Sequence, residues 1–276
     1  DDRVSSAKEL LPLFESIQRG QSVALGLEPQ ALPPDFAERG FRPPFEGREA
    51  ELASLTSALD DMLAGSGDTI IVSGPAGIGK TRLVEELSVE AGAKGILTLR
   101  GECLYQDAPN PYGPFTQMIT QYAESSQARG VSTQVTEMLD QIGEVLRADR
   151  NAASSARADW MRDVRIEDAQ GQLFELFVQV FRRISEVQPL LVSIDDLQWA
   201  SPTVLQLLHY LARAIRDCAI LLVGNYRSED VVPGEDGQTH PLRETLRRMS
   251  RQRLYREIEL RPLDETDVHR LVEGML

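Results

Sequence analysis

The sequence predicts a three-layer α/β sandwich: a mostly parallel five-stranded sheet, helices on both faces and an inserted helical region. Three observations predict it. Short apolar runs of β-forming residues recur near 69–73, 96–100, 190–194, 218–224 and 255–260. Stretches with apolar residues at helical spacing separate them. The strongest runs are apolar throughout, as in parallel strands buried on both faces, rather than alternating.

Composition sets the outer limits. The 276 residues suffice for one large core or two smaller ones. Apolar (42%) and charged (26%) fractions are those of an ordinary globular chain. The net charge of −14 argues against this piece gripping a nucleic-acid backbone by itself. Cys103 and Cys218 lack metal spacing and read as two reduced, buried thiols. No apolar run reaches transmembrane length, and Asp1-Asp2-Arg3 does not open a signal peptide, so a cytoplasmic chain without membrane contact is expected.

Residues 1–28 hold one modest helical pattern, interrupted by Pro12. Five prolines in 29–44 read as an extended linker, so 1–44 is expected to be an arm. Leu52, Leu55, Leu59 and Leu63 then fall at helical spacing, with Glu49 and Glu51 in the first turn. Gly65-Ser66-Gly67-Asp68 turns the chain into the first strand. A second strand candidate, 96–100, leads into a loop rich in turn residues.

Two helices are expected in 131–186, roughly at 132–147 and 166–186. In the second, Leu173, Phe174, Phe177, Val180, Phe181 and Ile184 form an apolar stripe, which is core material far more often than a ligand site. Between them NAASSARADWMRD is small, polar and mixed in charge, and reads as mobile. Ser201-Pro202 caps a further helix. The acidic, Gly-rich 228–240 reads as a flexible loop, 241–253 as a basic helix and LDETDVHRLVEGML as a last helix with Asp264 as N-cap.

Chemistry concentrates in two places. The run Ile70-Ile71-Val72 leads into Gly74-Pro75-Ala76-Gly77-Ile78-Gly79-Lys80-Thr81, followed by a helix-favouring segment. This is G-x-x-x-x-G-K-T between a strand and a helix. The glycines let the backbone turn so that its N–H groups ring a phosphate, and the helix start adds its positive dipole end. Lys80 is expected to reach the β- and γ-phosphates and Thr81 to ligate magnesium. The expected cofactor-binding loop comprises Gly74, Pro75, Ala76, Gly77, Ile78, Gly79, Lys80, Thr81 and Arg82. The second place is Leu190 to Asp196, where an apolar run ends in two carboxylates. Ligands of open α/β sheets sit beyond such strand ends. Asp195 is the candidate for holding magnesium and Asp196 for polarising an attacking water. Arg227 follows the next strand, and from position alone it is either on the ligand-binding edge or a solvated loop arginine.

In this order FEGREAEL, GPAGIGKT, LLVSIDDLQWAS, LLVGNYR and ELRPLDETD resemble the ATPase module of the STAND class of P-loop NTPases, over about 45–276. Within that class the chain is most similar to modules of large bacterial LuxR-type and SARP-type transcriptional regulators and multidomain adenylyl cyclases. The resemblance implies an ATP/ADP switch with slow magnesium-dependent hydrolysis. It implies that Phe45, Glu46, Gly47 and Arg48 lie against adenine, that Asp196 is linked to hydrolysis and that Arg227 senses the γ-phosphate. Lys80, Asp196 and Arg227 are thus the catalytic set.

Implied partners are the nucleotide and the other domains of the same regulator, and ATP-dependent self-association is admitted. Two positions depart from the family pattern: Ser201, where Asp is frequent, and Asn225, where Thr is common. Family members continue through a helical subdomain and a winged-helix domain. The expected division is therefore 1–44, a nucleotide-binding domain at 45–262 with a helical insertion at about 114–186, and 263–276 as the start of a truncated helical subdomain. An alternative is a multiple-turnover AAA+-like motor acting on DNA or protein, with Arg213 or Arg216 as arginine finger.

Overall fold

The computed structural model describes residues 45–105, 111–124, 137–138, 141–144, 159–232 and 239–273, with the backbone alone for 159–169. Its contacts divide the chain into two units, one of Ala50–Arg261 and one of Asp1–Glu49 with Pro262–Leu276. The expected arm and linker at 1–44 lie outside the described residues.

The larger unit holds five strands: β1 (Asp68–Gly74), β2 (Leu97–Glu102), β3 (Leu190–Asp195), β4 (Ile220–Arg227) and β5 (Arg256–Glu259). They form one sheet in the order β2-β3-β4-β1-β5, and every pairing is parallel. The helices are α1 (Glu49–Leu63), α2 (Lys80–Ala93), α3 (Gly113–Glu124), α4 (Asp159–Val187), α5 (Pro202–Ala214), α6 (Pro241–Arg251) and, in the smaller unit, α7 (Glu265–Glu273).

Two layers of helices follow from the burial of the strands. Leu99, Val192, Ile194 and Leu222 belong to one core cluster with Phe115, Phe177 and Phe181 of α3 and α4 and Leu205, Leu208 and Leu246 of α5 and α6. Their alternates Ile70, Val72, Leu191, Leu221 and Val223 are equally buried, as are Leu55, Leu59, Leu83 and Leu87 of α1 and α2. A parallel sheet covered on both faces has this pattern. The aromatic stripe of α4 is core: Phe177 lies 5.9 Å from Phe115 and 5.7 Å from Tyr112, centroid to centroid. Asp264 caps α7 through its side chain, which accepts from the Asp267 N–H at 2.8 Å.

Several boundaries depart from expectation. The last five residues of NAASSARADWMRD are already helical, because α4 begins at Asp159. Polar composition does not prevent helix where one long amphipathic segment propagates from a packed stripe. Of the helix expected at 132–147, residues 137–138 and 141–144 are helical and the rest lies outside the described residues. Residues 228–231 of the expected flexible loop form a 3₁₀ turn. The fourth strand starts at Ile220 rather than 218 and continues to Arg227, because its ladder with β1 persists to the Gly74–Arg227 pair. Cys103 is buried, whereas Cys218 is half-buried, and no disulfide joins them. Among the described residues no helix is long and apolar enough to cross a membrane.

Candidate functional site

In this strand order β3, β4 and β1 are consecutive neighbours, so the segments leaving their carboxyl ends emerge side by side. The segment after β1 is the Gly-rich loop. Gly77 and Gly79 sit at φ 72° and 104°, a left-handed backbone that side-chain-bearing residues rarely adopt. Gly79 is also the N-cap of α2, its carbonyl accepting from the Leu83 N–H at 2.9 Å. The helix therefore starts at Lys80 with its first amides facing the loop.

Lys80 is only 7% exposed, yet its Nζ donates to two carbonyls, Gly74 O at 2.8 Å and Pro75 O at 2.7 Å. Burial pushes its ammonium below the ordinary lysine range; Glu229, Asp196 and Asp230 oppose this and Arg227 adds to it. Its two hydrogen-bond acceptors are neutral carbonyls, which the oxygens of an anion can replace.

The two carboxylates that end β3 are fixed by partners from β4 and the turn between them. Asp196 adopts φ 57°, ψ 47°, which lets the chain leave β3 and enter the 3₁₀ turn Leu197–Trp199. Asn225, 2% exposed on β4, donates from Nδ2 to Asp195 Oδ1 and accepts at Oδ1 from the Asp196 N–H at 3.1 Å. Gln198, 3% exposed, donates to Asp196 Oδ1 at 2.6 Å and accepts from the Arg227 N–H at 3.0 Å. The Arg227 side chain faces the same carboxylate, Nε to Asp196 Oδ1 at 3.6 Å. The other oxygen of Asp195 accepts from Arg100 of β2 at 2.9 Å.

These elements enclose a cavity of about 230 Å³ lined by Gly77, Gly79, Lys80, Thr81, Arg82, Asp196, Asn225 and Arg227. Sequence reasoning placed seven of these eight in the site; it treated Asn225 only as a departure from a family pattern. Pro75, Ala76, Ile78 and Asp195 border the loop and strand end without lining the cavity. Arg82 also pairs with Glu86 at 2.7 Å. The fit to a phosphate chain is good: left-handed loop glycines, a helix start, a buried ammonium and an arginine converge on one hollow. Thr81 also lines the hollow, and its hydroxyl is a group there that could hold a magnesium ion. Among the described residues no group of three His, Cys, Asp or Glu side chains gathers to hold a metal, so such an ion would take its remaining ligands from phosphate and water.

Phe45, Glu46, Gly47 and Arg48 belong to the smaller unit. There Gly47 takes φ 73° and a Cβ on it would meet the Asp267 side chain at 2.7 Å. Arg48 is buried at 7% exposure, and Glu46 faces Arg270 at 3.9 Å. Arg213 and Arg216 are exposed and do not line the cavity; Arg216 donates to the Arg253 carbonyl at 3.2 Å. Sequence reasoning missed Arg100, Gln198 and Glu229, the last of which accepts a hydrogen bond from the loop itself, Ala76 N to Glu229 Oε1 at 2.7 Å.

The family profile of the AAA ATPase domain matches residues 44–223, from just before α1 into β4. The chain belongs to the AAA ATPase domain family. This AAA ATPase domain is 28% identical over 194 residues to R02095, an uncharacterised protein of Rhizobium meliloti (strain 1021), a match covering 67% of the chain and 18% of the relative. It thus spans less than a fifth of that relative. Among solved structures it is similar to the Orc1 protein of Aeropyrum pernix in complex with DNA, at 20% identity and TM-score 0.46, over 87% of this chain and 50% of that one. It is also similar to AMPPCP-bound DnaA from Aquifex aeolicus, at 16% identity and TM-score 0.40, over 90% of this chain and 56% of that one.

Proposed function

We propose that this AAA ATPase domain is a nucleotide-operated switch, binding ATP or ADP with magnesium and hydrolysing ATP slowly within a longer signal-transducing transcriptional regulator. One observation carries the reading: Lys80 is buried at the glycine loop, its ammonium donates to the Gly74 and Pro75 carbonyls, and it faces a hollow shared with Thr81, Asp196 and Arg227. Lys80 exchanges the Gly74 and Pro75 carbonyls for phosphate oxygens, and Arg227 balances charge on the outer phosphate. Asp196, oriented by Gln198, accepts a proton from an attacking water. Thr81 and Asp195 would hold magnesium, which would supply charge neutralisation for the bound phosphates. Its turnover is slow because the output is a conformational state.

The setting in a regulator rests on the resemblance of FEGREAEL, LLVSIDDLQWAS and ELRPLDETD to STAND modules. So do an adenine contact by Phe45, Glu46, Gly47 and Arg48, regulation of other domains of the same protein and ATP-dependent self-association. The test is calorimetry with ATP and ADP, paired with a single-turnover hydrolysis assay. Lys80→Ala abolishes binding of both nucleotides; unchanged binding refutes the assignment. Asp196→Asn retains ATP binding and slows hydrolysis roughly a hundredfold or more; an unchanged rate removes Asp196 from the chemistry.

A further inference from the structure

The Gly-rich loop already has an anion of its own. Glu229, in the 3₁₀ turn that follows β4, is exposed, and its Oε1 accepts from the Ala76 N–H at 2.7 Å, a contact between residues 153 positions apart. A loop amide is a donor suited to phosphate oxygen, and here a carboxylate takes it. We propose that Glu229 is a specificity-determining residue of the nucleotide site, competing with the outermost phosphate and so favouring a nucleoside diphosphate over a triphosphate. The proposal rests on the nucleotide-site reading given above.

The geometry separates the two ligands. The hollow is lined by Gly77, Gly79, Lys80 and Thr81, the part of the loop nearest the start of α2, and neither Ala76 nor Glu229 lines it. Phosphates held by the helix start therefore leave the Glu229–Ala76 contact intact. A further phosphate continuing toward the beginning of the loop meets a carboxylate on the amide it needs. Two terms oppose it: the hydrogen bond must break, and like charges are brought together.

A purely structural role for Glu229 predicts something else. The residue is at the surface, so a stabilising contact there is worth little and favours no ligand. Its position also gives displacement a consequence. Glu229 lies two residues after Arg227, whose side chain faces Asp196, and two residues before Val231, which is buried at 6% exposure. Moving Glu229 off the loop shifts the turn 228–231, so the arrival of the third phosphate is transmitted to the end of β4.

The test measures dissociation constants of the whole chain for ADP and for AMPPCP, a triphosphate analogue that cannot be hydrolysed between its outer phosphates, at fixed magnesium and ionic strength. Glu229→Ala is expected to tighten AMPPCP about fivefold while ADP changes less than about twofold. Glu229→Asp keeps the charge but shortens the side chain by one methylene, and it is expected to show part of the Glu229→Ala gain, because reach to the Ala76 amide is lost while the like charge stays. Equal shifts for both ligands, or no shift in either, overturn the assignment. An aspartate variant that keeps the wild-type ratio while alanine changes it also overturns the contact, leaving only a diffuse charge effect. If neither nucleotide binds the wild-type chain or any variant, the nucleotide-site reading itself falls.

Discussion

Asn225 shows how one buried amide organises two carboxylates. Its Nδ2 donates to Asp195 and its Oδ1 accepts from the Asp196 N–H, so donor and acceptor are both used inside the protein. Truncation to alanine leaves the Asp196 N–H and one oxygen of Asp195 without these partners, and a buried group stripped of its bond costs about 1–3 kcal/mol. Asn225→Ala is therefore expected to lower stability by that amount, read as a shift of the urea midpoint at unchanged slope. A midpoint equal to wild type would mean that solvent replaces the amide without loss.

Lys80, Thr81 and the two aspartates were legible in the sequence because each is encoded within one local strand-and-turn pattern. Asn225, Gln198 and Arg100 were not, because what matters about them is a partner 29, 2 or 95 positions away, set by side-chain aim and strand register. In the parallel ladder Glu102 pairs with Asp195 and Ile194 with Gly224, which brings Arg100 and Asn225 beside the end of β3. A single sequence shows the carboxylates but not which neighbours hold them.

At the scale of elements, periodicity found every strand of the sheet and erred where an element's end depends on tertiary contact. β4 extends through Asn225-Tyr226-Arg227 because β1 offers ladder partners that far. The caps are local and were readable: Ser201 accepts from the Val204 N–H at 3.2 Å at the start of α5. The cap of α6 was not foreseen, because histidine is not a preferred N-cap. His240 Nδ1 accepts from the Leu242 N–H at 3.2 Å, a role open only to the neutral ring.

Burial holds the His240 imidazole below its ordinary value near 6.5, while its bond to the Gln198 backbone and the Asp230 carboxylate pull it upward. The unfolded chain therefore takes up this proton first as pH falls. The contribution is complete above about pH 6.5 and is lost as pH drops through the lower folded value. His240→Asn keeps an acceptor at the cap without titrating in this range. Its urea midpoint is expected to fall less than that of wild type between about pH 7.5 and about pH 5.5. Parallel decreases in the two proteins would place the pH dependence elsewhere.

At the scale of the molecule, the parallel sheet buries its apolar strands on both faces and gathers its polar exits at one edge, so the larger unit's stability and its binding chemistry share three strands. The loop glycines, Lys80 and the Asp195–Asn225–Asp196 cluster are in register only while β3, β4 and β1 are paired. A ligand that needs that register binds the folded chain alone, and its binding free energy is added to folding. At a hundred times its dissociation constant the gain is about 2.7 kcal/mol. For a unit of this size that corresponds to a rise in Tm of roughly 5–10 °C. ADP with magnesium is expected to produce such a rise in a thermal melt of wild type and none in Lys80→Ala. The net charge of −14 makes constant ionic strength essential, because added salt alone relieves self-repulsion. A rise of equal size in both proteins would mean that the nucleotide acts away from the loop, since screening and weak surface binding do not require Lys80.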